Sequence, residues 1–170
     1  MDPVSGLGGM VATGGRLNVA KALDKVKGSV LIGDIIIDGK VNSGDYSGLN
    51  RYILDIITLT PKQLVAADVT GDGKVNSSDY TIMNRYLLDI IQTFPAGDKY
   101  TFTYGDVDND GTVSNSDANI VASYLAGNTV LSDKQLLSAD VNGDNVVNGV
   151  DLSMLNNYIN GMMTYLPVAD

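Results

Sequence analysis

The chain contains no histidine and no cysteine. Their absence excludes zinc sites, thiol catalysis and any triad with a histidine base. It also excludes disulfides, so cysteine usage leaves the redox compartment open. Glutamate is missing too, and all 20 acidic residues are Asp. Helix surfaces ordinarily use Glu, the better helix former, so an Asp-only acidity points to loops, caps or ligand sites. No apolar run approaches the ~18 residues of a bilayer span. The stretch MDPVSGLGGM has neither the basic nor the apolar part of a signal peptide. The chain is expected to be either cytosolic or a piece of a secreted protein. What is there is 170 residues, 44% hydrophobic, with a net charge of −9. That suffices for one domain or two small ones with a core, and a nucleic-acid partner is not expected.

Four segments align without gaps: DIIIDGKVNSGD (34–45), DVTGDGKVNSSD (68–79), DVDNDGTVSNSD (106–117) and DVNGDNVVNGVD (140–151). Their starts stand 34, 38 and 34 residues apart. This is the spacing of two modules, each with a pair of loops, and a slightly longer connector between them.

Each segment has the pattern of a calcium loop. Calcium takes six to eight oxygens, and a 12-residue loop supplies them from positions 1, 3, 5, 7 (through its backbone carbonyl), 9 (often through water) and 12. The second loop offers Asp68, Thr70, Asp72, the Lys74 carbonyl, Asn76 and Asp79, with Gly73 at the sharp turn. The third offers Asp106, Asp108, Asp110, the Thr112 carbonyl, Ser114 and Asp117, with Gly111. The fourth offers Asp140, Asn142, Asp144, the Val146 carbonyl, Asn148 and Asp151, and Asn145 takes the turn, a residue that tolerates left-handed backbone. The first keeps Asp34, Asp38, the Lys40 carbonyl, Asn42 and Asp45, with Gly39, but has Ile36 where position 3 wants an oxygen. Ligand count tunes affinity, so up to four calcium ions are expected and the 34–45 site is expected to be the weakest, with Ile35, Ile36 and Ile37 packing inward. Position 8 is Val41, Val75, Val113 or Val147 throughout. Asx-rich helix caps account for one such loop, but not for four in register. Of the 20 Asp, 13 lie in the loops, three each in the first, second and fourth and four in the third. Four divalent ions would bring −9 close to −1, so calcium binding and folding are expected to be coupled.

An EF-hand has a helix on both sides of its loop. Here the exiting helices are plain. Tyr46, Leu49 and Ile53 follow Asp45 at i, i+3 and i+7, and Tyr80, Met83 and Leu87 follow Asp79 in the same way. The entering segments of loops one and three, KVKGSVLIG and FPAGDKYTFTYG, read as extended. Only loops two and four follow helix-like segments, TPKQLVAA (60–67) and SDKQLLSA (132–139), each opened by a capping Thr or Ser.

The repeat DVTGDGKVNSSDYTIMNRYLLD resembles the dockerin repeat of cellulosomal proteins, a duplicated calcium loop plus helix or F-hand. All four copies fit, so the resemblance spans about residues 30–167 and describes a tandem. It implies an all-α fold of two dockerin modules, each a pair of loop–helix motifs with a short connecting helix. The expected division is 1–29 linker or tail, 30–95 first dockerin, 96–99 linker and 100–168 second dockerin. Both modules end alike, in TFPAGD and TYLPVAD. Phe94–Pro95 and Tyr165–Pro167 are expected to pack on each module's opening segment and clasp its ends, with a plain linker as the alternative for the first.

The resemblance implies a calcium-dependent module that binds cohesins of a scaffoldin and anchors a secreted, cellulosome-associated protein. Contacts in the family lie at loop positions 10 and 11 and helix positions 17, 18 and 22. These are Ser43, Gly44, Asn50, Arg51 and Asp55 in repeat one, and Ser77, Ser78, Asn84, Arg85 and Asp89 in repeat two. The two sets nearly coincide, which implies that one cohesin can bind in either of two orientations. The alternative is an ordinary solvated helix face. In the second module the positions are Asn115, Ser116, Ala122, Ser123 and Gly127, then Gly149, Val150, Asn156, Asn157 and Gly161. No Arg remains there, so the two modules are expected to prefer different cohesins or the second to bind weakly.

GGRLNVAKAL (14–23) resembles the closing segment of subtilisin-like serine protease domains. A Gly-rich linker with a turn or two of helix through Leu17, Ala20 and Leu23 accounts for it equally. The chain itself carries no catalytic residues, although its parent protein can be a cellulosomal protease. The other reading of the loops is an EF-hand-type calcium sensor or buffer. A sensor needs opening helix pairs and a Met-rich groove, whereas Met10, Met83, Met154, Met162 and Met163 are scattered. The unbound chain is expected to be a monomer without membrane insertion.

Overall fold

The computed structural model describes residues 27–166. Each half of this span runs strand, helix, short helix, helix. The first half has β1 (Lys27–Leu31), α1 (Ser43–Ile53), α2 (Pro61–Ala67) and α3 (Ser77–Leu87). The second has β2 (Lys99–Thr103), α4 (Asn115–Leu125), α5 (Asp133–Ala139) and α6 (Gly149–Ile159). The fold is thus mostly helical, with one small two-stranded sheet. The segments before loops one and three are extended, as their composition indicates. The protease-like segment 14–23 lies outside the described residues.

The loops themselves start the longer helices. Loop position 9 (Asn42, Asn76, Ser114 or Asn148) is the N-cap of the helix, and its side chain accepts the N–H two residues on. Loop position 12 is N3, and its Asp side chain accepts the N-cap N–H in return. This is a capping box with Asp where Glu is usual, and its negative charge sits favourably at the helix N-terminus. All four helices stop in the same way. Asp55, Asp89, Gly127 and Gly161 have φ between 55° and 73°. The N–H after each reaches back to the carbonyl of Arg51, Arg85, Ser123 or Asn157, closing a Schellman motif. The short helices start on Thr60 with Gln63 and on Ser132 with Gln135, again as capping boxes.

Within a module the two longer helices pack together, α1 on α3 and α4 on α6. The first core gathers Ile32, Ile35, Leu49, Ala67, Val69, Met83 and Phe94, with Tyr46 stacked on Tyr80 at 4.1 Å. The second gathers Val107, Ala118, Val121, Leu131, Ala139 and Leu155. A third cluster, Val30, Val65, Ala66, Phe102 and Leu137, draws on both halves. There β1 pairs antiparallel with β2, and α2 packs on α5. The segment 96–99 is held as well. Ala96 donates its N–H to the Val69 carbonyl, and the Asp98 carbonyl accepts from Ile32.

Phe94 is buried, stacks on Tyr86 at 4.3 Å and covers the chain just after β1. A Cβ on Gly33 would lie 2.6 Å from its ring, and Gly33 has a φ of +91°. The equivalent place in the second module is taken by Leu166, whose Cδ1 stands 3.0 Å from where a Cβ on Gly105 would be. The expectation of an aromatic clasp there is corrected: Tyr165 is 53% exposed and Leu166 2%. An aliphatic side chain fills that slot, and Leu155 and Val113 come within 3.0 Å of the same Cβ position. The Phe94→Ala substitution is expected to cost about 3 kcal/mol in denaturant unfolding with calcium present. A loss near zero would show that the clasp contributes nothing.

Candidate metal centres and partner face

Every loop closes on two buried carboxylates. The position-12 residues Asp45, Asp79, Asp117 and Asp151 are fully buried, and the position-1 residues Asp34, Asp68, Asp106 and Asp140 nearly so. Backbone N–H groups meet them. Asp117 accepts from Val107 at 2.7 Å, Asp108 at 3.1 Å and Ser114 at 2.8 Å. Asp106 accepts from Asp110 and Gly111, both at 3.1 Å. The same pattern recurs in the other loops, as on Asp45 from Ile35, Ile36 and Asn42 and on Asp140 from Gly143, Asp144 and Asn145. These donors fix where the free lone pairs point.

Those lone pairs converge. In loop three, Asp106, Asp108 and Asp117 each place a carboxylate oxygen within 4.8 Å of the others. Burial pushes the Asp106 carboxyl up, the Asp117 and Asp110 charges push the same way, and the Gly111 and Asp110 N–H groups oppose them. Asp140 is raised chiefly by burial, with Asp151 and Asp144 adding to it against the Asn145 and Gly143 N–H groups. Like charges held this close disfavour one another's ionisation, and a cation between them would relieve that repulsion. The donors are all oxygen, so a hard divalent ion of calcium's kind fits. In loop two the Thr70 hydroxyl bridges Asp79 at 2.9 Å and Asp68 at 3.3 Å, which puts the position-3 oxygen between positions 1 and 12.

Two groups of expected ligands are engaged elsewhere. The position-5 carboxylates Asp38, Asp72, Asp110 and Asp144 are exposed and accept the N–H of Lys40, Lys74, Thr112 and Val146. The position-9 oxygens of Asn42, Asn76, Ser114 and Asn148 accept the N–H of residues 44, 78, 116 and 150. That commitment to capping suits a ligand acting through water.

Loop one departs. Ile35 alone packs inward, while Ile36 and Ile37 are 48% and 41% exposed, which corrects the expectation that all three do. Ile36 lies along α1: its Cδ1 is 3.1 Å from where a Cβ on Gly44 would stand, and its Cγ2 is 3.8 Å from that place on Gly48. The other repeats carry Ile82, Ile120 and Met154 where this one has Gly48. The Ile that displaces a ligand therefore covers a helix face left bare by glycine. Loop position 4 is a demand that ligand spacing does not reveal. It is left-handed in every repeat, at Ile37, Gly71, Asn109 and Gly143. A β-branched residue is strained there. One further support comes from outside the loop, where Gln63 Nε2 of α2 donates to the Ile35 carbonyl at 2.9 Å.

On the outer side, Ser43, Arg51, Asp55, Ser77, Ser78, Asn84, Arg85 and Asp89 are exposed, and Gly44 and Asn50 half-buried. Apolar side chains flank the two left-handed Asp: Leu54 and Ile56 are 59% and 60% exposed, Leu88 and Ile90 62% and 60%. The helix periodicity does not single these residues out as surface contacts. Their place beyond the helix ends, past Ile53 and Leu87, is the signal that they do not belong to the helix stripe. In the second module Asn115, Ser116, Gly127, Gly149, Val150 and Gly161 are exposed, with Ala122, Ser123, Asn156 and Asn157 half-buried. The corresponding flanks there are Ala126, Asn128, Asn160 and Met162.

The model of the dockerin type I domain family matches the chain twice, over residues 32–88 and 104–160. The chain belongs to the dockerin type I family. No curated protein matches it. Dockerin type I modules are calcium-dependent cohesin-binding modules, not catalysts, and they occur in extracellular cellulosomal proteins. The loop oxygens of this dockerin pair fit that metal, and bound calcium would neutralise the carboxylates gathered at the helix starts. Among the described residues no helix is long and apolar enough to cross a membrane. The strain at Ile37 predicts that Ile37→Gly stabilises the first dockerin by about 1 kcal/mol. Unfolding midpoints with calcium present measure this, and a destabilised variant would contradict it.

Proposed function

We propose that this chain is a calcium-dependent anchor that docks a secreted enzyme to the cohesins of a cellulosome scaffold or cell surface. The observation that carries this reading is the doubled face of the first module. Ser43 and Ser77, Asn50 and Asn84, Arg51 and Arg85, Asp55 and Asp89 match residue for residue, each set flanked by an exposed apolar pair. Exposed apolar residues beside Arg make an interface core with a polar rim. Two such sets on paired helices offer a cohesin the same surface in two orientations. The second module, without Arg and with smaller flanks, takes a different cohesin or binds more weakly. Residues 30–95 and 100–168 are the binding modules, and a catalytic domain of the parent protein would precede them. The unbound chain is a monomer.

Calcium in this reading occupies up to four loops through the residues at positions 1, 3, 5, 7, 9 and 12. Loop three, with its three converging carboxylates, is the strongest, and loop one, without an oxygen at position 3, is the weakest. The sensor reading loses ground because the segments entering loops one and three are strands that pair with each other, not helices free to open.

Calorimetry of the chain with type I cohesins is expected to give binding in calcium and none in EGTA. Absence of calcium-dependent binding to every cohesin tried would sink the reading. Arg51→Ala or Arg85→Ala alone is expected to change affinity little, because the other face substitutes, while the double variant loses about tenfold or more. Asp55→Gly with Asp89→Gly is expected to keep or slightly raise stability and to weaken cohesin binding. Ile36→Asp is expected to strengthen the weakest class of calcium sites, read by calcium titration without cohesin.

A further inference from the structure

Adding 72 to a residue number in the first module gives its equivalent in the second: β1 maps onto β2 and α2 onto α5. The strands pair with Lys27 opposite Thr103, Ser29 opposite Thr101 and Leu31 opposite Lys99. Ser29 therefore faces its own equivalent, so a twofold axis passes through that pair. The shared core obeys the same relation, with Val30 and Phe102 equivalent and Val65 and Leu137 equivalent. Ala66 matches Ser138, which is also buried. The two modules meet as the halves of an isologous dimer joined in one chain.

The interface is apolar and interlocked. Phe102 occupies the space a side chain at Gly28 would need, since a Cβ there would lie 2.3 Å from its Cζ. Phe102 is gripped in turn by Tyr104, edge-on at 4.7 Å. Modules joined by an apolar interface do not show the free relative motion expected of linked domains. The inter-module packing is made chiefly by β1, β2, α2 and α5, while the four helices that carry the partner faces pack within their own modules. The face on α1 and α3 and the face on α4 and α6 are therefore both open, and the twofold relates them.

We propose that the two modules form one rigid twofold body that holds two cohesins at once in a fixed relative orientation, so that the chain bridges cohesins as well as anchoring to them. The proposal rests on the cohesin-binding reading above, and two measurements separate the two. In the first, sedimentation with a type I cohesin panel in calcium, added singly and in pairs, is expected to give chains carrying two cohesins. A maximum of one per chain across the panel overturns the bridging. No cohesin bound at all overturns the functional reading instead. The second measurement needs no partner. The chain has no native cysteine, so spin labels on Ser47→Cys and Asn119→Cys, equivalent exposed positions, report one distance between the modules. A single narrow distribution is expected, broadened by Gly28→Val, which drives a side chain into Phe102. A broad distribution in the unaltered interface, or a narrow one that Gly28→Val leaves unchanged, overturns the rigid body.

Discussion

The structure depends on the last Asp of each loop. Asp45, Asp79, Asp117 and Asp151 are fully buried, and each performs two tasks with one carboxylate. It accepts N–H groups at the loop's beginning, from residues 35 and 36 in the first loop and 107 and 108 in the third. It also accepts the N–H of the N-cap and so starts the helix. Hydrogen bonds to a charged group contribute about 1.5–3 kcal/mol each, which offsets part of the cost of burying a carboxylate. A longer Glu would move the carboxylate away from one of its two sets of donors. The choice of Asp over Glu at position 12 and the shared capping geometry therefore have one cause.

That cause also explains what the sequence makes legible. Ligand spacing, the caps and the helix starts are properties of a 12-residue segment, and such segments announce themselves when four stand in register. The short helices were legible for the same reason, since Thr60 with Gln63 and Ser132 with Gln135 lie three residues apart. The association of the modules was not legible. Five-residue strands carry little register information, and KGSVL and KYTFT do not look alike. Their pairing rests on Gly28 yielding space to Phe102, a complementarity visible only once both are placed. Leu166 escaped notice because the aromatic-proline pattern led to Tyr165, while the slot itself asks only for an apolar side chain of suitable size.

Loop one shows local rules giving way together. Ile36 removes a ligand, yet it covers the part of α1 that Gly44 and Gly48 leave bare. Residue choice in the loop and in the helix is coupled, so a restored position-3 ligand would expose that helix face again. Ile37 carries a different demand: its φ of 58° is at a position that Gly or Asn fills in the other repeats. The missing position-3 oxygen and the local strain thus separate within one loop, the first tied to packing on the helix and the second to the backbone.

The helix ends carry the same contrast between the modules. Each longer helix ends on a left-handed residue, which is Asp in the first module and Gly in the second. Glycine meets that backbone demand with no steric cost, so the cap does not explain the Asp. Both Asp are exposed, both sit between exposed apolar residues, and both follow an Arg on the same helix. A less favourable residue found twice at equivalent surface positions is a local rule broken, which supports the proposal that a partner sets the requirement there. In the second module glycine stands at these positions, and the Arg and the larger flanks are absent with the Asp. The structural frame is therefore the same in both modules, set by loop and cap, and the chemistry laid over it differs by module.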